Sequence, residues 1–164
     1  MTPPIVSLVG KSGVGKTTLL EQLIPALKRR GLRVGVVKHH GHASGFDQPG
    51  KDTQRHAAAG ADVVIGISPV QVAAFYQVNA APDVAAMVAR LGAGVDLVLT
   101  EGFSRGPFPK IEINRAARSA SLLFEPAALL AVVSDQAFDL PIPCFGLDAA
   151  EALADFLLAW SRTG

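Results

Sequence analysis

Gly10-Lys11-Ser12-Gly13-Val14-Gly15-Lys16-Thr17 is the stretch that decides the fold. It reads G-x-x-x-x-G-K-T, the pattern of a phosphate-binding loop, and its flanks agree with that reading. Ile5-Val6-Ser7-Leu8-Val9 leads into it as a buried strand, and Thr18-Leu19-Leu20-Glu21-Gln22-Leu23 leaves it with helical spacing. Glycines let the backbone curl until successive N–H groups point inward as a nest for anionic oxygens. The N-terminus of the following helix adds partial positive charge. The residues from Gly10 to Thr18 are therefore expected to bind a nucleoside triphosphate, with Lys16 reaching the β- and γ-phosphates and the Thr17 hydroxyl ligating Mg²⁺.

The rest of the chain suits a domain built around such a loop. Its 164 residues are expected to form one domain with a sizeable core. Hydrophobic residues make up 49%, much of it Ala and Val, as in a parallel sheet covered by helices. A net charge of +1 offers no general attraction to nucleic acid or to an anionic membrane surface. No apolar stretch approaches a membrane span, and no charged leader precedes an apolar segment, so no signal peptide is expected. Cys144 is the only cysteine, which excludes an intrachain disulfide and a cysteine zinc cluster and fits a reducing cytoplasm.

Taken in order, the first helix is expected to run to about Arg30 and end at Gly31, with Lys28, Arg29 and Arg30 complementing its dipole. Pro25 inside it should bend it. The second strand spans residues 33–38. A polar, Gly-rich segment, 39–52, follows; it holds three of the four histidines and is too long for an ordinary connection. Asp52 is expected to cap a short helix ended by Gly60. Residues 62–67 and 70–76 read as an antiparallel pair around Ser68-Pro69. Pro82-Asp83 opens a helix closed by Gly92. A buried strand over 95–100 ends at Glu101-Gly102. Residues 110–115 alternate with period two, as a half-exposed strand does. Residues 116–124 receive no assignment. A buried strand over 129–133, a short edge strand over 141–145, and a helix capped by Asp148 and running through Trp160 complete the chain. Strands alternating with helices indicate an α/β fold: a mostly parallel, P-loop NTPase-like sheet flanked by helices, with one antiparallel hairpin.

A phosphate loop needs an acid to hold magnesium. Asp96 and Glu101 share one strand, roughly 16 Å apart when extended. Ligands collect at the carboxyl ends of parallel strands, which selects Glu101. Asp47, after a neighbouring strand, is a second candidate for the metal shell; an Asx turn before Gln48-Pro49 explains it equally well. The histidines have two readings. His40 and His42, with His39 or His56, would suit Zn²⁺. Without a zinc-motif spacing, anion contact by the histidines or Lys38 is simpler. Asp135 follows a buried strand and Ser134, where an aspartate can accept hydrogen bonds from guanine N1 and N2; a cap or turn role is the plain alternative.

These segments together resemble the molybdopterin-guanine dinucleotide biosynthesis protein B (MobB) family. The residues that carry the resemblance are the Gly10–Thr18 loop, Lys38-His39-His40-Gly41-His42, Phe46 to Thr53, Ala59-Gly60-Ala61, Leu97 to Phe103, Pro109-Lys110-Ile111-Glu112 and Ser134-Asp135. The resemblance implies a homodimeric GTP-binding protein with Mg²⁺ and weak GTPase activity. It also implies a partner, the molybdenum cofactor guanylyltransferase, which joins GMP to molybdopterin. Lys38, His39, His40, His42, Lys51 and Lys110 are then expected contacts for an anion or a pterin phosphate. Lys11 and Ser12 also resemble the G-K-G-G-V-G-K-T loop of dimerising ATPases of the partition and nitrogenase-iron-protein type, with Ser12 where that pattern has Gly. An ATP-driven dimeric switch or metallochaperone is therefore the second reading. A small-molecule kinase is the third; it would need an arginine lid, and Arg105, Arg115 and Arg118 are not clustered in sequence as a lid should be.

Overall fold

In chain order, the computed structural model contains β1 (Ile5–Val9), α1 (Lys16–Arg29), β2 (Val34–Lys38), α2 (Asp52–Ala58), β3 (Val63–Ile67), β4 (Val72–Tyr76), α3 (Val84–Leu91), β5 (Leu97–Glu101), β6 (Lys110–Asn114), β7 (Leu129–Ser134), β8 (Cys144–Phe145) and α4 (Ala150–Ser161). It describes residues 2–39, 45–91 and 94–163. His40, His42 and the Gly92 expected to close a helix lie outside them. The chain divides into two compact units, Met1–His39 with Val88–Gly164, and His40–Met87.

The larger unit is an α/β sandwich on a six-stranded sheet, ordered β2-β5-β1-β6-β7-β8. Each of its pairings is parallel. Val6, Leu8, Leu97, Leu99, Ile111, Ile113, Ala131 and Val133 form the buried cluster with Leu19, Leu20, Leu23 and Leu27 of α1 and Leu153 and Leu157 of α4. Alternate residues of each strand share a face, and the leucines of α1 recur at helical spacing, so both patterns bury the same interface. Each fully buried leucine contributes about 1.5–3 kcal/mol. Arg30 joins the two helices at the surface, through Asp155 at 2.7 Å and Glu151 at 2.8 Å. Pro25 is accommodated within α1. Gly31 takes a φ of +83° just beyond the helix, the left-handed end the sequence anticipates.

Three local expectations are corrected. β6 is not half-exposed: it lies between β1 and β7 with Ile111 to Asn114 buried. Its alternating polar residues are inward groups with partners; Glu112 accepts the Leu123 N–H at 2.7 Å and the Phe124 N–H at 3.1 Å. Burial raises the Glu112 pKa, against the lowering effect of those bonds and of the Lys11 charge. Neither Asp52 nor Asp148 caps its helix: the N-cap positions are Lys51 and Ala149, without a side-chain bond. Asp83 does cap, accepting the Ala85 N–H at 2.9 Å.

In the smaller unit β3 and β4 form an antiparallel two-stranded sheet, with Val63 opposite Tyr76, Ile65 opposite Ala74 and Ile67 opposite Val72. Those six residues share one face, and it is exposed: Ile65 is 57%, Ile67 80% and Val72 66% accessible. Val64, on the other face, is buried. Among the described residues no helix is long and apolar enough to cross a membrane.

Candidate functional site

β1 has β5 on one side and β6 on the other, so the loop leaving it lies at the carboxyl edge of a parallel sheet, where ligands of such folds bind. Gly10, Gly13 and Gly15 have φ of +145°, +75° and +100°. At Gly10 a close approach adds to the backbone requirement: a Cβ there would come within 2.3 Å of the Ile113 carbonyl oxygen on β6. The Lys16 Nζ donates to the Gly10 carbonyl at 2.8 Å and the Lys11 carbonyl at 2.9 Å, so its ammonium lies across the loop. Burial lowers its pKa, and the Lys38 charge acts the same way, while Glu101 opposes both.

Glu101 ends β5 and is a buried residue, 6% exposed. The Thr17 Oγ1 donates to its Oε1 at 2.9 Å. Lys38, its register partner on β2, forms an ion pair with the same oxygen. Burial works to raise the Glu101 pKa, but the Lys38 and Thr17 hydrogen bonds and the Lys38 and Lys16 charges outweigh it, so the carboxyl stays below its ordinary value. Asp96 is engaged elsewhere. Arg33 donates to it from its backbone N–H at 2.7 Å and from Nη2 at 2.8 Å, and these bonds hold its carboxyl down to about 2. The structure thus brings Thr17 and Glu101 together and leaves Asp96 with Arg33. A hydroxyl and a carboxylate are hard oxygen donors of the kind Mg²⁺ takes, so this pair fits that ion.

The other expected residues divide by unit. Asp47 and Lys51 belong to the smaller one. Asp47 Oδ1 accepts the N–H of the next residue, Gln48, at 2.8 Å, and Asp47 lines a cleft of about 720 Å³ with Phe46, Gln54, Phe75 and Tyr76. Lys51 donates its backbone N–H to Gln48 at 3.3 Å. In the larger unit the His39 backbone N–H bonds the Glu101 carbonyl at 2.9 Å, and its ring stands edge-on to Phe103 at 5.2 Å. The Lys110 Nζ donates to the Gly106 and Phe108 carbonyls at 2.8 and 3.2 Å, so it holds the loop before its own strand. Among the described residues no three His, Cys, Asp or Glu side chains are placed to hold a metal ion. Asp135 is exposed, and its Oδ1 accepts the Ala116 N–H at 2.8 Å.

Sequence reasoning missed the segment that leans on the loop. Arg115 Nε donates to the Val14 carbonyl at 3.0 Å. Its Nη2 would lie 3.4 Å from a Cβ on Gly15, and the Nη2 of Arg118 3.0 Å from a Cβ on Gly13. The Lys11 Nζ donates to Ser119 Oγ at 3.0 Å and to the Arg118 carbonyl at 3.4 Å. Asn114 and Gln136 hold the segment from below: Asn114 Nδ2 donates to Ser121 O at 3.0 Å, and Gln136 Nε2 to Ser119 O at 2.8 Å. The signal in the sequence was Arg115 at the end of an expected strand and Arg118 three residues beyond it, and spacing alone does not show that they turn back onto the loop.

Comparison with known proteins gives a consistent picture. The family model described as "MobB: Molybdopterin guanine dinucleotide synthesis protein B" matches residues 5–135. The molybdopterin-guanine dinucleotide biosynthesis adapter protein of Escherichia coli (strain K12) is 35% identical, over 97% of this chain and 94% of its own length. A crystal structure of molybdopterin-guanine biosynthesis protein B superposes with a TM-score of 0.74 at 32% identity, covering 95% of this chain and 99% of that one. A crystal structure of LAO/AO transport system kinase shares the fold, with a TM-score of 0.50 at 17% identity over 100% of this chain and 62% of that one.

Proposed function

The chain belongs to the MobB family, adapter proteins of molybdopterin guanine dinucleotide biosynthesis, and on that premise we propose that it is a GTP-binding adapter with weak, magnesium-dependent GTPase activity. In this reading it works in the cytoplasm beside the guanylyltransferase that joins GMP to molybdopterin. One observation carries the nucleotide site: a glycine loop at the sheet's carboxyl edge, crossed by the Lys16 ammonium, with the Thr17 hydroxyl 2.9 Å from the Glu101 carboxylate. Lys16 would bind the outer phosphates, Thr17 and Glu101 the magnesium ion, and the loop N–H groups the remaining oxygens. Lys38, His39, His40, His42, Lys51 and Lys110 remain the candidates for an anion or pterin phosphate.

Base choice tests the reading. Asp135 keeps Oδ2 without a partner among the described residues, and a carboxylate can accept from both guanine N1–H and the N2 amino group. Adenine does not offer that donor pair, and a site left with an unpaired acceptor rejects it. The protein should bind GTP at least about tenfold more tightly than ATP, or roughly 1.4 kcal/mol. Asp135→Asn retains an oxygen for the Ala116 N–H, and should erase most of that preference and gain affinity for xanthosine triphosphate. Titration of both proteins with the three nucleotides decides it. Equal affinity of the unmodified protein for GTP and ATP would remove Asp135 from the base site and favour the ATP-driven switch.

We take the adapter to be a homodimer. In support, the exposed face of β3 and β4 offers Val63, Ile65, Ile67, Val72 and Tyr76 as a self-complementary apolar patch that a second copy would cover. Ile65→Asp should shift a dimer to monomer in sedimentation velocity without changing the circular dichroism spectrum. A variant that sediments as the unmodified protein does would exclude this face as the interface.

A further inference from the structure

From the segment 115–121 we infer a built-in arginine clamp on the polyphosphate, in which Arg118, seconded by Arg115, contacts the outermost phosphate of a bound triphosphate. The inference rests on the proposed nucleotide site and adds to it the residues that distinguish a triphosphate from a diphosphate.

Charge is the first argument. Four cationic side chains belong to the phosphate loop or lie against it: Lys11, Lys16, Arg115 and Arg118. Among the described residues neither arginine forms an ion pair with a carboxylate. Guanidinium groups brought together without a counter-charge repel one another, and a polyphosphate supplies the missing anion with oxygens that match their planar donor fork. Arg115 spends one donor on the Val14 carbonyl, which fixes it at the rim. Arg118 is exposed, with no hydrogen bond from its guanidinium among the described residues, and is free to turn onto a ligand.

Support of the segment is the second argument. A loop carrying two unpaired arginines would be expected to drift from a cationic site. This one is tied down at four points: Asp135 takes the Ala116 N–H, Lys11 donates to Ser119 and the Arg118 carbonyl, Gln136 donates to the Ser119 carbonyl, and Asn114 donates to the Ser121 carbonyl. The Lys11 tether crosses from the phosphate loop itself, so loop and clamp are bonded directly to each other. It also engages Lys11 within its own chain. Asn114 and Gln136 are further joined to each other through the Asn114 Oδ1, which also accepts from Ser134 Oγ at 3.4 Å. Within the segment's support, Asn114, Gln136 and Ser119 are positioning residues, and Arg118 and Arg115 are the groups of the segment that would touch the terminal phosphate.

Arg118→Ala and Arg118→Lys test the inference. Affinity is measured by titration calorimetry for GDP and for a non-hydrolysable GTP analogue, both with magnesium, and turnover by phosphate release. For Arg118→Ala the analogue should bind at least about tenfold more weakly and hydrolysis should fall further, because an arginine on the terminal phosphate stabilises developing charge. GDP affinity should stay within about threefold, since no terminal phosphate is present. Arg118→Lys should restore part of the analogue affinity through its charge and less of the turnover, lacking the fork. Equal losses for GDP and the analogue would make the segment merely structural, and unchanged binding and turnover would place Arg118 outside the site; either overturns the clamp. Failure of the unmodified protein to bind either nucleotide would instead overturn the nucleotide site on which it rests.

Discussion

Lys16→Ala should weaken binding of a magnesium triphosphate by at least about a hundredfold and remove hydrolysis. That loss is about 2.7 kcal/mol, within the range of one or two hydrogen bonds to charged groups. The Lys16 ammonium already lies across the loop, held by the Gly10 and Lys11 carbonyls. A phosphate would take over a donor that is preplaced, and would gain further as charge develops on the transferring group. The variant should remain folded. Lys16 is on the first turn of a helix whose buried face is made by Leu19, Leu20, Leu23 and Leu27, and alanine serves that turn well. The two carbonyls that lose their donor lie at a partly open surface where water replaces it. Calorimetric titration, with circular dichroism as the folding control, reads the result. Unchanged affinity in a folded variant would remove the loop from the nucleotide site.

The features of this site differ in how far the sequence discloses them, and the reason is the range over which each is specified. The loop is local. Three glycines with positive φ, one strand before and one helix after are written in consecutive residues, so Gly10 to Thr17 could be read directly. Choosing Glu101 over Asp96 needed one more fact, the direction of the strand, and the parallel pairing of β5 with β1 supplies it. β6 shows where this reading stops. Lys110, Glu112 and Asn114 alternate with apolar residues as on a wetted strand, yet β6 has a neighbour on each side. What makes its polar face dry is the return of residues 121–124, whose backbone groups satisfy Asn114 and Glu112. Period-two patterning reports polarity, and it does not report whether water or a folded-back loop meets that polarity.

Arg115 and Arg118 follow the same rule. Their place at the loop depends on a chain reversal after β6 and on bonds from Asp135 and Gln136, which lie more than a dozen residues further along. Nothing within a local window encodes that contact. The helix starts fail for a smaller reason. Asp52 and Asp148 each fall one position from the N-cap that forms, Lys51 and Ala149, and a helix start is specified by sequence only to within a residue or two. The hairpin face of β3 and β4 is the opposite case: alternate Val, Ile and Tyr residues predict a strand pair correctly, but apolar patterning on both faces does not say which face its own unit covers.

Glu101→Gln should separate magnesium dependence from nucleotide binding itself. The carboxylate lies 2.9 Å from the Thr17 hydroxyl and forms an ion pair with Lys38, so it is placed to share a cation and also to repel phosphate when no cation is there. A neutral amide is a poor substitute as a ligand for a hard divalent ion. With magnesium present, the variant should therefore bind GTP at least about tenfold more weakly than the unmodified protein, roughly 1.4 kcal/mol. With the metal chelated, the sign should reverse or vanish, because the variant no longer sets a negative charge beside the phosphates. The fold should tolerate the change. Lys38 is 42% exposed, so its ammonium can be solvated once its partner is neutral, and the amide oxygen can still accept from Thr17. Asp96→Asn is the control. Asp96 is committed to Arg33, so its neutralisation should cost the Arg33 ion pair and leave magnesium dependence intact. Titrations of the three proteins with and without chelator decide between the acids, and a larger loss of magnesium dependence in Asp96→Asn than in Glu101→Gln would show that the wrong carboxylate has been assigned to the metal.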